Sequence, residues 1–438
     1  MITVGLDFGT HQTKVCVEQT DGIELKYEFL KFKDTKGVEQ YVLPSIICVN
    51  KDSTLSYGYI LKPKEKSKLS RVYNSWTKII KTNKKQENNN QLEIIRYFKQ
   101  AAFTQNNQLS QQDGIFYSIW YIAYVLFLLK SKYGNDFSIQ MGVPTDGKHL
   151  NDQKKLATRI LLSAYDLVEN KLNNDKDKFL SMTLFELKGI TNFLEYDEGK
   201  KYEYGILVFP EAYACLMPLT TSNRISNGMS LMIDIGGGTT DISFFTIRND
   251  KPQVYDFYSI NKGLNFLVDT ENLDKNRLDS NLSLSTQIMD DRKNDFKNEI
   301  IKLLENLIGR LQKEFRIQSR LQMVKLFDAL ESRPIVYTGG GSTFKTLRMD
   351  YEHFSDVKHI STADWKQKNV VDIDKIKEKG LSPILSTAYG LSISVVDDNI
   401  ETFPFEDIFV GLRQTLDHDM INQGGQANDG FDYGLFEG

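Results

Sequence analysis

The chain has 438 residues, 40% hydrophobic and 26% charged, which is the composition of a globular protein long enough for two or three domains. A formal net charge of −4 gives no footprint for nucleic acid or an anionic membrane as direct partner. Three scattered cysteines (Cys16, Cys48, Cys215) and five unclustered histidines (His11, His149, His353, His359, His418) argue against a zinc site and point to a reducing cytoplasm.

Residues 1–60 read as β-hairpins punctuated by Asp21-Gly22, Lys36-Gly37 and Asn50-Lys51-Asp52, and a strand pattern opening at Ile2 is read as having no signal peptide before it. The Asn- and Gln-rich stretch 82–112 reads as a loop plus a weak helix. The apolar run 115–129 is short of the ~20 residues that span a bilayer and carries Tyr117, Tyr121 and Tyr124, so a buried helix is expected rather than a membrane span. A strand over 138–143 ends at Pro144. A helix near 150–170 follows, with Leu156, Ile160, Leu161 and Ala164 at helical spacing. A short strand at 205–209 leads to Pro210, where a helix is expected to start.

The second half opens with a hairpin at 230–248 and a strand at 252–260. Residues 292–330 read as helical, with Ile300, Leu303, Leu304, Leu307, Ile308 and Leu311 on one face. A buried strand at 335–338 runs into Gly339-Gly340-Gly341-Ser342, and a helix is expected over 388–396. Residues 397–438 carry ten acidic side chains against one arginine, the composition of a mobile tail.

One short pattern is written twice. The first copy is Ile2-Thr3-Val4-Gly5-Leu6-Asp7-Phe8-Gly9-Thr10 and the second is Leu231-Met232-Ile233-Asp234-Ile235-Gly236-Gly237-Gly238-Thr239. Each is an apolar strand ending at an aspartate, then glycine and threonine, then another β-rich run. A triphosphate carries about four negative charges and needs many donors without steric bulk. Glycine lets successive backbone N–H groups turn toward one anion, and Thr10, Thr239 and Thr240 add hydroxyl donors. Asp7 and Asp234 end their strands where they can hold Mg²⁺, directly or through its waters. A single Gly-Gly-Gly-Thr is equally a tight hairpin; two matched copies and a third glycine cluster favour the phosphate reading. The P-loop and dinucleotide-binding glycine patterns are both absent from the sequence.

Taken together, these residues resemble the actin, sugar kinase and heat-shock 70 ATPase superfamily. Asp7-Phe8-Gly9-Thr10 is similar to its first phosphate motif, Asp234 to Asp241 to its second, and Thr338 to Ser342 to its adenosine motif. Gly142-Val143-Pro144, Lys262 to Phe266 and Ser386 to Gly390 are similar to segments of the heat-shock 70 branch. The resemblance covers roughly residues 1–396. It implies an α/β fold of two lobes, each on a five-stranded mixed sheet (duplicated ribonuclease-H-like domains), with ATP or ADP and Mg²⁺ in the cleft between them. Lobe I would be 1–218 plus the returning helix at 383–396. Lobe II would be 219–382, with a helical upper subdomain over 265–330. Ala212, Ala214 and Ala388 to Gly390 would form the small-residue crossing where the lobes hinge.

The resemblance also implies site roles. Gly9, Thr10, Gly236, Gly237, Gly238, Thr239 and Thr240 would hold phosphates, and Gly339, Gly340, Gly341 and Ser342 adenosine. His11 and Gln12 either touch the phosphates or are simple turn residues. Glu211 follows Pro210 in an order similar to plasmid-segregation actin-like proteins and would position water; its alternative role is an acid stabilising a helix N-terminus. Lys78 would be the lysine near the terminal phosphate, with Lys81, Lys62 or a solvated surface role as alternatives. Residues 397–438 are too few for a chaperone's peptide-binding domain. The implied function is a slow, cytoplasmic ATPase switch signalling to a protein partner, the tail either docking there or packing on its own chain. The alternatives are a self-assembling, filament-forming actin-like ATPase and, third, a small-metabolite kinase.

Overall fold

A computed structural model of the chain describes residues 2–20, 22, 24–59, 93–103, 109–144, 149–194, 197–220, 230–248, 251–267, 290–314, 334–348, 357–361, 365, 369–395 and 397. They build a mixed α/β structure dominated by two sheets.

In the first sheet, β1 (Ile2–Phe8) turns onto β2 (Gln12–Thr20), which pairs antiparallel with β3 (Leu25–Phe29). Six short strands follow, β4 to β9 (Phe32–Lys33, Glu39–Gln40, Leu43–Pro44, Ile47–Val49, Leu55–Tyr57 and Glu93–Ile95). Then β10 (Ser138–Val143) joins the free side of β1 in parallel, and β11 (Ile206–Pro210) joins β10. The order is β11-β10-β1-β2-β3, with β6 also on β2. The second sheet repeats this plan. β12 (Ser230–Ile235), β13 (Thr240–Arg248) and β14 (Lys251–Ile260) form an antiparallel meander. β15 (Ile335–Thr338) and β16 (Val357–His359) are added in parallel on the free side of β12, giving β14-β13-β12-β15-β16. β1 and β12 are buried along nearly their whole length, which is why both read as continuous apolar runs rather than alternating ones.

Helices cover these sheets. α1 (Phe98–Phe103) packs against α2 (Gln111–Tyr133). The Ser110 hydroxyl accepts the Asp113 N–H at the start of α2, and Gly134, at φ 81°, ends it. Trp120, Tyr121, Ile122 and Ala123 run around all its sides and are fully buried, the condition under which an all-apolar helix sits inside a fold. By length and hydropathy α2 also meets the criterion for a bilayer span, but it is the central element of the largest core cluster. α3 (Leu150–Asp166) lies over β10 and β11. α4 (Lys176–Ser181), α5 (Leu184–Thr191) and α6 (Lys200–Glu203) lead back to β11, and α7 (Glu211–Thr220) follows it directly. α8 (Leu264–Leu267) and a helix over Asp290–Glu314 belong to the second half, and the helix Ser382–Ser392 closes the described fold.

Two contacts set the position of that closing helix. A Cβ on Gly5 of β1 would lie 2.3 Å from the Ala388 carbonyl oxygen, and one on Gly390 would lie 1.9 Å from the Ala214 carbonyl oxygen of α7. The small-residue crossing expected at Ala214 and Gly390 is therefore a real backbone-to-backbone approach.

Some expected boundaries move. The closing helix runs Ser382–Ser392: it starts ahead of Ala388, at the beginning of the returning helix expected over 383–396, where Pro383 suits a first turn, and it stops short of 396 because Ile393 is already extended. Pro210 is the last residue of β11, paired with Val143, so the helix starts one residue later. On the 290–314 helix, Ile300 and Leu304 are buried while Leu303 and Ile308 are partly so. The expected helix beyond 314, and all of the tail beyond Asp397, lie outside the described residues.

Candidate functional site

β1 and β12 deliver their C-terminal ends, and the turns that follow them, to one cavity of about 1170 Å³. From the first turn it is lined by Asp7, Gly9, Thr10, His11 and Gln12. From the second it is lined by Asp234, Gly236, Gly237, Gly238 and Thr239. Glu211, at the start of α7, joins them, as do Gly339 and Gly340 beyond β15. The topology explains the convergence: the same strand-to-turn step is taken at the same place in two equivalent sheets.

Three expected site residues are in the turns but do not line the cavity. Thr240 donates its hydroxyl to the Lys262 carbonyl at 2.8 Å, and Ser342 donates to the Gly339 carbonyl at 2.7 Å. A Cβ on Gly341 would strike Ile235 Cγ2 at 2.2 Å. These residues shape the turns from behind. Lys78, Lys62 and Lys81 lie outside the described residues.

Two other lysines line the cavity beside the carboxylates. Lys14 Nζ lies 2.9 Å from Asp7 Oδ2, directly opposite it in the β1–β2 register. Lys99, buried on α1, forms an ion pair with Glu211. Lys14 had a signal in the sequence: it follows Asp7 at the spacing by which Asp241 follows Asp234. Lys99 had none, since α1 is a six-residue helix in a polar stretch and only the tertiary fold turns it inward. Asp241 also lines the cavity, 4% exposed, and its Oδ1 has no hydrogen-bond partner.

Four carboxylates (Asp7, Glu211, Asp234, Asp241) thus face two ammonium groups (Lys14, Lys99). Burial pushes the Asp234 carboxyl up to about 6, helped by the charge of Glu211. Burial also raises Glu211, with the Lys99 charge opposing, and raises Asp241 well above the usual carboxylate range. For Lys14, burial works to lower the ammonium, yet the adjacent Asp7 charge and hydrogen bond leave it above its ordinary value. Cys215 bridges outward from the cluster. Its thiol lies 3.4 Å from Asp234 Oδ2 and 2.8 Å from Thr387 Oγ1 on the closing helix, and burial pushes it far up, so it is an unreactive thiol.

Gly236, Gly237 and Gly238 lie outside the left-handed region, and a Cβ on each would meet a close neighbour: the Thr239 carbonyl oxygen, the His11 ring and the Gln100 side chain respectively. Gly339 is different, at φ 81° with Asp234 Oδ1 only 2.1 Å from where a Cβ would sit.

Among the described residues no three His, Cys, Asp or Glu side chains come together as a metal cage. Asp7 and Asp234 are of the donor type that Mg²⁺ uses, one or two carboxylates with water and phosphate oxygens completing the shell. The chain matches none of the known protein families, and no curated protein matches it.

Proposed function

We propose that the protein is a Mg²⁺-dependent ATP-binding and ATP-hydrolysing switch of two actin-like lobes, similar to the heat-shock 70 nucleotide-binding unit. The observation that carries this reading is the convergence of two equivalent strand-turn units, with Asp7 and Asp234 at matching positions, on one cavity that also holds Glu211, Lys14 and Lys99. The surplus of carboxylates over lysines suits a polyphosphate only if a cation accompanies it, and Asp7 and Asp234 are the groups that would hold Mg²⁺, directly or through its waters. When bound, Mg²⁺ would neutralise charge on the β- and γ-phosphate oxygens.

The chain's own residues supply the rest. Lys14 and Lys99 place positive charge beside the phosphates. The Glu211 carboxylate orients a water and accepts its proton as hydrolysis proceeds. Leu264, Phe344 and Ile384 give the cavity an apolar end for the base near Gly339 and Gly340. The Gly390–Ala214 contact joins the helices that would hinge between the lobes, so lobe angle is the output, read by a protein partner, with the 397–438 segment as its candidate dock.

Calorimetry with Mg·ATP and Mg·ADP tests binding. Phosphate release by wild type beside Asp234→Ala and Glu211→Gln tests turnover. No adenine-nucleotide affinity in well-folded protein would defeat the reading, and turnover unchanged in both variants would move the chemistry elsewhere.

A further inference from the structure

Side chains from the first half of the chain reach the backbone of Gly237 and Gly238. A Cβ on Gly237 would lie 1.9 Å from His11 Cδ2, and one on Gly238 would lie 2.2 Å from Gln100 Nε2. His11 belongs to the β1–β2 turn and Gln100 to α1, next to Lys99. Two side chains of the first half therefore rest on the backbone of the second turn. His11 is braced edge-on by Tyr97, with ring centroids 5.6 Å apart and planes at 80°. Tyr97 is itself left-handed at φ 61°, a costly conformation for an aromatic residue that persists only where surrounding contacts hold it.

An anion bridging the two turns would approach the backbone of Gly237 and Gly238, on which His11 and Gln100 rest. A diphosphate, one phosphate shorter, reaches less far between the turns. We propose that His11 and Gln100 form a gate for the terminal phosphate: they hold the turns together without it, yield to it, and so set the discrimination between a nucleoside triphosphate and a diphosphate. This rests on the nucleotide reading above. Affinity for a ligand that needs a minor open state is reduced by the fraction open, so a gate closed in nine molecules of ten lowers triphosphate affinity about tenfold.

The test has two arms on the full chain. In nucleotide-free protein, Gly237→Ala should lower the thermal midpoint, and adding His11→Ala should restore most of the loss, because the clash is between those two residues. Equal losses with and without His11, or failure of the double variant to fold, would overturn the contact. In the second arm, calorimetry with Mg²⁺ compares ADP with a non-hydrolysable ATP analogue. The affinity ratio, analogue over ADP, should rise about tenfold in His11→Ala and move in the same direction in Gln100→Ala. A ratio unmoved or lowered, with wild type binding both nucleotides, overturns the gate alone. Wild type binding neither overturns the gate and the nucleotide reading together.

Discussion

Lys14 stands opposite Asp7 across the first hairpin as Asp241 stands opposite Asp234 across the second. The two hairpins match in register and differ in charge. One offers an acid–base pair at 2.9 Å, and the other a half-buried Asp234 and a buried Asp241 with no lysine in their ladder. Both cavity-lining lysines paired to site acids come from the first half. On the proposed nucleotide reading, that charge asymmetry would give a magnesium-bound triphosphate one favoured orientation.

Lys14→Met should leave Asp7 buried beside no cation. Removing one partner of a buried ion pair typically costs about 3 kcal/mol or more, whereas removing both is far milder. Urea denaturation of Lys14→Met, Asp7→Asn and the double variant should therefore give a double variant more stable than the sum of the singles predicts. Additive losses would mean that the pair is solvated in solution.

Glu211→Gln should cut phosphate release by about 10²- to 10⁴-fold while leaving Mg·ATP affinity nearly intact, since a general base acts in the transition state more than in binding. Lys99→Met removes the charge that holds the Glu211 carboxyl down against burial. Glu211 would then ionise only at higher pH, so the acid limb of the rate profile should move upward. A limb that stays in place would assign it to another group.

The contribution of the cavity's raised acids to stability without nucleotide should fall as pH rises. Asp234 titrates at about 6 in the fold against an ordinary carboxylate value in the unfolded chain, so the folded state holds its proton longer. Its share of stability is therefore complete below about pH 4 and lost by about pH 7, at most about 3 kcal/mol for a shift of this size. Glu211 and Asp241 act in the same direction. Asp234→Asn should thus gain on wild type at pH 8 and little at pH 4, as read by chemical denaturation. Equal effects at both values would show that Asp234 is not strained by its burial.

The sequence made the strands and turns legible because each carries local chemistry. Aspartate at a strand end, glycine after it, and apolar runs in β1 and β12 are visible without a fold. Lys99 and Gln100 were invisible for the opposite reason: nothing local distinguishes them, and only the packing of α1 on α2 brings them to the second turn. Nor does a close approach across the cavity, such as His11 on Gly237, leave a trace in the neighbouring residues.

Gly390→Ala should destabilise the protein by about 1–3 kcal/mol or more, because the added methyl meets the Ala214 backbone rather than a movable side chain. The same substitution at Gly309, where nothing lies within 4 Å of a Cβ, serves as the control and should be neutral or slightly stabilising. If the crossing also works as a hinge, Gly390→Ala should lower nucleotide turnover more than nucleotide affinity. Comparable losses in both would leave it a packing contact only.

Deleting residues 398–438 separates the role of the cleft from that of the C-terminal segment. The described cavity lining ends at Thr387, and the chain beyond the closing helix is tied down at Ser394, whose hydroxyl donates to the buried Glu18 carboxylate and bonds Thr3 Oγ1 at 2.8 Å. The shortened chain should therefore keep nucleotide affinity and intrinsic phosphate release within about twofold, a change well under 1 kcal/mol. Any partner that docks on the segment would lose its effect on turnover. Sedimentation of both forms with Mg·ATP distinguishes the filament alternative: ATP-dependent pelleting of the full chain would favour self-assembly over a switch. A large loss of turnover on deletion would instead show that the segment packs on the cleft, and the docking role would be withdrawn.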